Sequence, residues 1–170
     1  TILFNMQTYQ IRDTLKKSKQ VLIYSSATMI MTIIHHFYGA YIYKDDFRLH
    51  VAIIAIPLII LYLVSYFAFR LSQNKFRKRI FNSILIYSSL VFSCMAIGIY
   101  EGGYNHLVKN ILYFSGSPIS FLNSIYTSNY QLPDDLFFEV TGLMQFVLGL
   151  TCGIIIIKFF KGCNAYIMPR

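Results

Sequence analysis

The sequence predicts an all-α integral membrane protein, a bundle of four transmembrane helices with one or two short amphipathic helices on the extracytoplasmic side. Apolar residues make up 56% of the 170 residues, whereas charged residues make up only 13%. Soluble domains carry about 25% charged residues, so this chain has too few charges to cover a soluble surface. Apolar runs near the length that crosses a bilayer, about 20 residues, also recur four times along the chain.

These runs define four predicted spans, which lie at residues 20–43, 49–69, 80–100 and 136–160. A tight polar turn at residues 44–48 joins the first two spans, and a strongly basic turn at residues 70–79 joins the second to the third. Four short spans can build only one bundle, so we expect residues 1–170 to form a single membrane domain. In the mixed polar and apolar stretch before position 20, Ile11 and Leu15 are expected to lie on the membrane surface as part of a short amphipathic helix.

The segment between the third and fourth spans, residues 101–135, is too long and too apolar for a simple loop. Ser117 followed by Pro118 is a typical helix start. Apolar residues repeat before it at helical spacing, at Tyr104, Leu107, Val108, Ile111 and Leu112. We therefore expect two short helices that lie on the extracytoplasmic surface or fold over the bundle.

The basic residues predict the orientation. All but three of the 15 Lys and Arg residues fall at the N-terminal end, in the 70–79 turn or at the C-terminal end, and the exceptions are Lys44, Arg48 and Lys109. Positive charge is retained on the cytoplasmic side, so both termini are expected in the cytoplasm, with the bacterial inner membrane as the expected location. Six of the seven acids lie on the opposite side, an asymmetry that the positive-inside rule does not require. This second asymmetry points to a function on the extracytoplasmic side.

Two adjacent histidines are the most informative residues for that function. His35 and His36 precede Tyr43 by eight and seven residues, which places them roughly 10–12 Å below the outer end of the first span. Ionisable side chains at that depth are costly and usually face the bundle interior. His36 shares the more polar stripe of this helix, so we predict that His36 is the inward-facing histidine.

Other spans place possible ligands at a similar height. We predict a metal site formed by His36, His50, Glu101 and Glu139, with His35 and His106 as further candidates. Imidazole and carboxylate are ligands for a divalent transition metal such as Zn, Cu or Fe. The same groups would also suit a proton relay, because histidine titrates near neutral pH. In span four, Gly142, Gly149 and Gly153 predict close packing against a neighbouring helix.

Two other interpretations of these residues stay open. Haem b is a weaker candidate cofactor, because all the histidines lie at one end and leave room for at most one haem. Alternatively, Glu101 and Glu139 pair with Arg48 and Lys109, and the histidines are hydrogen-bonded without a metal. The spans carry no HExxH or ExxH motif that would decide between these cases.

The predicted function is that of a small multi-pass membrane protein that binds a metal ion or cofactor, within an enzyme or an electron- or proton-transfer assembly. One alternative is a non-catalytic accessory subunit of a larger membrane complex. Another is a membrane enzyme that acts on a lipid or quinone. We expect the lipid bilayer and other membrane subunits as partners. The net charge of +8 does not indicate nucleic-acid binding, because the basic residues flank the apolar spans.

Overall fold

A computed structural model describes residues 2–126 and 132–164, with side chains for residues 12–126 and 132–161. Within these ranges the chain is helical and contains no strand. A 3₁₀ turn at Asp46–Arg48 and a π-helical segment at Ser89–Val108 interrupt the α-helices. The α-helices are α1 (Ile2–Tyr43), α2 (Leu49–Leu71), α3 (Lys75–Ser88), α4 (Lys109–Phe114), α5 (Ile119–Ile125) and α6 (Leu136–Asn164).

Four helical stretches are long and apolar enough to cross a membrane, which indicates a multi-pass membrane protein. They are Arg12–Tyr43, Asp46–Leu71, Lys75–Phe114 and Leu136–Lys161. Each contains one of the four predicted spans, so the all-α bundle is confirmed. The predicted surface helix at the N-terminus is wrong as a separate element, because α1 runs without interruption from Ile2 into the first span.

The third span is twice as long as predicted. α3, the π-helical segment and α4 form one continuous helix of 40 residues, Lys75–Phe114. Glu101 and His106 therefore lie on the third span, and the predicted first surface helix is wrong. Residues beyond position 100 stay in the bundle because they pack on α6: a Cβ atom at Gly102 would lie only 2.4 Å from the backbone nitrogen of Phe146.

The π-helical segment turns more slowly than an α-helix, and its buried residues show this. Ser89, Ser93, Gly98, Gly102 and His106 are all buried, at intervals of four or five residues. An α-helix has 3.6 residues per turn, so residues at these intervals would not all lie on one face of it. π-helical windings are mostly single turns and often occur at functional sites. Here the wide winding keeps one long face of the helix directed at its neighbours.

Glycines set the distance between this segment and α6. Gly98 and Gly149 meet backbone to backbone, since a Cβ at Gly149 would lie 2.5 Å from the Gly98 Cα. A Cβ at Gly153 would lie 2.6 Å from the Cys94 sulfur. Small residues allow the close helix contact that drives association in lipid. The predicted close packing of the fourth span through its glycines is confirmed.

α5 is the one short helix between the third and fourth spans among the described residues, and it begins directly after Pro118, near the predicted start. Two tyrosines attach it to the third span. The Tyr104 hydroxyl donates to the Ile125 carbonyl at 3.1 Å, and the Tyr126 hydroxyl donates to the Tyr104 carbonyl at 3.1 Å. Burial raises the pKa of Tyr126 to about 12, so its hydroxyl remains a donor at neutral pH.

Candidate metal centre

Three helical elements bring the candidate residues together near one end of the bundle. α1 supplies His35 and His36, the π-helical segment supplies Glu101 and His106, and α6 supplies Glu139. The end of α1 is also tied to the residues that precede α6. The Tyr38 hydroxyl donates to Asp135 at 3.0 Å, and the Tyr43 hydroxyl donates to Asp134 at 2.8 Å. These bonds fix the height of the histidines relative to α6.

One carboxylate oxygen lies at the centre of the cluster. The Nε2 atoms of His35, His36 and His106 lie 3.9, 3.8 and 3.9 Å from Glu101 Oε1. These separations exceed the 2.7–3.2 Å typical of a direct hydrogen bond. Three imidazole nitrogens therefore converge on one oxygen without bonding to it.

Glu101 is held in this position by a neighbour on its own helix. The Asn105 side-chain amide donates to Glu101 Oε2 at 2.7 Å. This bond occupies one carboxylate oxygen and leaves Oε1 directed at the histidines. The Glu101 side chain is 14% exposed, so the carboxylate is largely removed from bulk water.

The contacts of Thr141 favour one tautomer of His35. The Thr141 hydroxyl lies 2.9 and 3.0 Å from the backbone carbonyls of Phe137 and Phe138, which can accept its one proton. When they do, the Thr141 oxygen accepts from His35 Nδ1, which lies 2.9 Å away. In that tautomer of neutral imidazole, the lone pair of His35 is on Nε2. That nitrogen is buried, has no hydrogen-bond partner and faces Glu101.

His106 is oriented in the same way by Glu139. His106 Nδ1 donates to Glu139 Oε2 at 2.7 Å, because a carboxylate can only accept. The other oxygen of Glu139 accepts from Lys109 Nζ at 3.0 Å. A neutral His106 thus also carries its lone pair on Nε2, toward Glu101. A carboxylate behind the far nitrogen of a histidine is the usual support of a metal-ligating imidazole.

His35, Glu101 and His106 could together hold a metal ion. Their ligand atoms all lie within 4.8 Å of one another. Two ligands of one tetrahedral zinc ion, each about 2.0–2.1 Å from it, lie about 3.3–3.4 Å apart. The two 3.9 Å spacings between a histidine Nε2 and Glu101 Oε1 would contract by about half an ångström around an ion, and wider spacings within the 4.8 Å limit would contract by more. Lone pairs that converge on a carboxylate in a buried site repel one another unless a cation lies between them.

His36 lies beside this group, and the prediction that it alone faces inward is wrong. His35 is completely buried and His36 is 5% exposed. His35 packs against Thr141 and Phe138 of α6, and both histidines lie near Glu101 of the third span. Gly142 of α6 leaves room for the His106 ring, since a Cβ there would lie 2.3 Å from it. Neither ring nitrogen of His36 has a hydrogen-bond partner.

His50 is placed apart from these residues. It is exposed at the start of α2, and its Nδ1 donates to the Phe47 carbonyl. Nearby, Arg48 forms an ion pair with Asp45 at 3.3 Å and lies over the Tyr43 ring. The structure therefore brings together five of the six predicted ligands, with Glu139 behind His106 and His50 at the edge.

Sequence reasoning missed the residues that orient the ligands. Asn105 lies four residues after Glu101, the spacing of neighbours on a helix, but the helix was predicted to end at Tyr100, before both of them. Thr141 follows Glu139 by two residues, and nothing in the sequence connects it with His35. Comparison of this chain with known protein families, with curated proteins and with solved structures gives no match.

Proposed function

We propose that this protein binds a divalent transition metal ion through His35 Nε2, His106 Nε2 and Glu101 Oε1. The observation that carries the proposal is the convergence of buried imidazole nitrogens on one carboxylate oxygen at 3.8–3.9 Å. Two imidazoles and one carboxylate form the donor set of many zinc and non-haem iron sites. Three protein ligands leave at least one coordination position open, which is typical of catalytic rather than structural sites.

A bare ion fits this arrangement better than haem. The two axial imidazoles of a haem lie on opposite faces of the macrocycle. The ring centroids of His35 and His106 are only 4.7 Å apart, in an edge-to-face arrangement. This separation leaves no room for a porphyrin between the two rings.

The proposed location of the site is the extracytoplasmic half of the membrane, with both termini in the cytoplasm. The distribution of basic residues supports this orientation. The apolar core of the bundle lies between the histidines and the cytoplasmic end in this orientation. It includes Val21 and Met29 of α1 and Tyr62 of α2. In this orientation the ion enters from the extracytoplasmic side.

The test is the metal content of the purified protein after loading with Zn²⁺, Fe²⁺ or Cu²⁺ and removal of free ions. We expect a bound ion in the wild type and a loss of at least about 10-fold in affinity in His35→Ala and in Glu101→Gln, since each removes a ligand. His50→Ala is the matched control, because it removes an imidazole outside the group, and it should bind normally.

Folding is monitored separately by helix content and elution volume in detergent, so that loss of metal is not confused with loss of structure. The proposal is overturned if the folded wild type retains none of the three ions. It is also overturned if folded His35→Ala and Glu101→Gln both bind as tightly as the wild type.

A further inference from the structure

A crevice opens beside the metal centre, between α2 and the π-helical segment. Its outer compartment has a volume of about 370 Å³ and its inner compartment about 160 Å³. Both compartments are lined by His50 and Val51 from α2 and by Ala96 and Ile97 from the π-helical segment. The two compartments therefore adjoin along α2 and the π-helical segment.

The crevice is polar at one end and apolar at the other. His36, Asp45, Arg48 and Glu101 line the outer compartment. The inner compartment is bounded by aliphatic and aromatic side chains, among them Ile54, Leu58 and Phe92. On α2 the lining runs from residue 50 to residue 58, about 12 Å of helix. A molecule that fills both compartments would need a polar head and a hydrocarbon chain.

His36 points to a ligand at the polar end. The residue is 5% exposed, lines the outer compartment, and has no hydrogen-bond partner at either ring nitrogen. A buried polar group without a hydrogen-bond partner is destabilising. An oxygen atom of a ligand head group would supply the missing partner.

We propose that the crevice binds a neutral long-chain lipid, whose hydroxyl or carbonyl head lies at His36 and whose chain lies between α2 and the π-helical segment. The charge of the lining favours a neutral head, because Asp45 and Glu101 would repel a phosphate and Arg48 already pairs with Asp45. The ligand would enter from the bilayer, since Ile54 is 53% exposed and Phe92 is 39% exposed at the crevice wall.

The position of the crevice connects the lipid with the metal. His36 and Glu101 line the outer compartment, and Glu101 is also a proposed ligand of the ion. A head-group oxygen in this compartment would therefore approach the open coordination position. This connection rests on the proposed metal site, whereas the binding of the lipid in the crevice does not.

The test uses a monoacylglycerol with a photoreactive diazirine in its acyl chain, incorporated with the protein into bilayer nanodiscs. Cross-links are mapped by mass spectrometry and should lie on residues 50–58 and 92–101. Ala96→Phe fills the crevice, because Ala96 is exposed and lines both compartments. The added ring would occupy the space of the acyl chain, so labelling should fall about tenfold or more.

Ile99→Phe is the matched control, since Ile99 is 43% exposed on the same segment and lines neither compartment. It should be labelled like the wild type. Excess monoolein should compete with the probe, and lysophosphatidic acid should compete poorly. Equal labelling of Ala96→Phe and the wild type would overturn the proposal, and so would better competition by the phosphate lipid. Metal content is measured on the same samples, so a failure of the metal site is seen independently.

Discussion

At the scale of single residues, the two carboxylates of the cluster have different surroundings. Glu101 presents one oxygen to three imidazole nitrogens, and Asn105 holds the other oxygen. Glu139 instead faces His106 from behind and pairs with Lys109. Both acids were predicted as ligands from the sequence, whereas the geometry favours Glu101 as the ligand and Glu139 as a positioning residue.

We therefore predict different effects for substitutions at these two acids. Glu139→Gln should weaken metal binding about 10–100-fold, the usual effect of losing the partner of a ligating histidine. Glu101→Gln should weaken it more, because a ligand is lost. Affinities can be measured by competition with a chelator of known strength. Asp46→Asn is a suitable control, since Asp46 is exposed in the 3₁₀ turn between α1 and α2. If Glu139→Gln and Glu101→Gln weakened binding equally, Glu139 would have to be a ligand.

The choice between His35 and His36 shows what a single helix cannot reveal. Adjacent residues on a helix point about 100° apart, so only one of the two histidines was expected to face inward. His36 was selected because the face of α1 that contains it is the more polar. The structure buries both, because both lie near Glu101 of the third span and His35 also contacts Thr141 of α6. The width of the interior depends on partners from α6 and the third span. Such information is not contained in the α1 sequence.

At the scale of elements, the contact between the π-helical segment and α6 holds the site together. Glu101 and His106 lie on the first of these elements, and Glu139 and Thr141 lie on the second. The backbones approach each other at Gly98 and Gly149. Any change in this distance would move the ligands relative to the residues that orient them.

A methyl group at this contact should separate the two helices. Gly149→Ala places a Cβ 2.5 Å from the Gly98 Cα, against backbone that cannot rotate away. We expect a loss of about 1–3 kcal/mol in the free energy of unfolding, together with weaker metal binding. Thermal unfolding in detergent measures the first effect. Leu150→Ala, at a neighbouring position that is 42% exposed, should change stability much less. Unchanged stability of Gly149→Ala would contradict the close contact.

The extent of the third span could not be predicted, for two physical reasons. A hydrophobic stretch of about 20 residues is sufficient to cross the membrane, so the helix was ended at Tyr100. The spacing of buried residues after Ser89 also follows a π-helix rather than the 3.6-residue period used to analyse the sequence. Both errors moved His106 from the bundle to the surface.

At the scale of the whole molecule, the orientation in the membrane stays a prediction. In a background without native cysteines, Ser115→Cys should react with an impermeant thiol reagent added outside intact cells. Gln73→Cys should react only after permeabilisation. Both side chains are exposed, so a difference would report the side of the membrane rather than burial. The reverse pattern would place the metal centre on the cytoplasmic side.

The sequence was sufficient for the number of apolar spans and for the residue types of the cluster, but not for its geometry. Long apolar runs identify spans directly, because each must match the thickness of the bilayer. Histidines and acids at one height predicted a cluster, and the structure places His35, Glu101 and His106 in contact range. Which nitrogen faces which oxygen depends on the packing of α1 against two other helices. His50 was predicted as a ligand because of its height along the bundle, and height does not show which face of α2 the residue occupies.

The depth of the histidine cluster has an electrical consequence. In the predicted orientation, with the end of α1 at the edge of a hydrocarbon core of about 30 Å, His36 would lie about 10 Å deep, about a third of the way through the core. Moving one elementary charge across the whole membrane involves electrical work of about 2.3 kcal/mol per 100 mV. For a divalent ion that crosses a third of the membrane to reach the cluster, this electrical work is about 1.5 kcal/mol per 100 mV. The affinity for the ion should therefore change about tenfold per 100 mV. Metal occupancy would then depend on the membrane voltage. This dependence can be measured in proteoliposomes with an imposed diffusion potential.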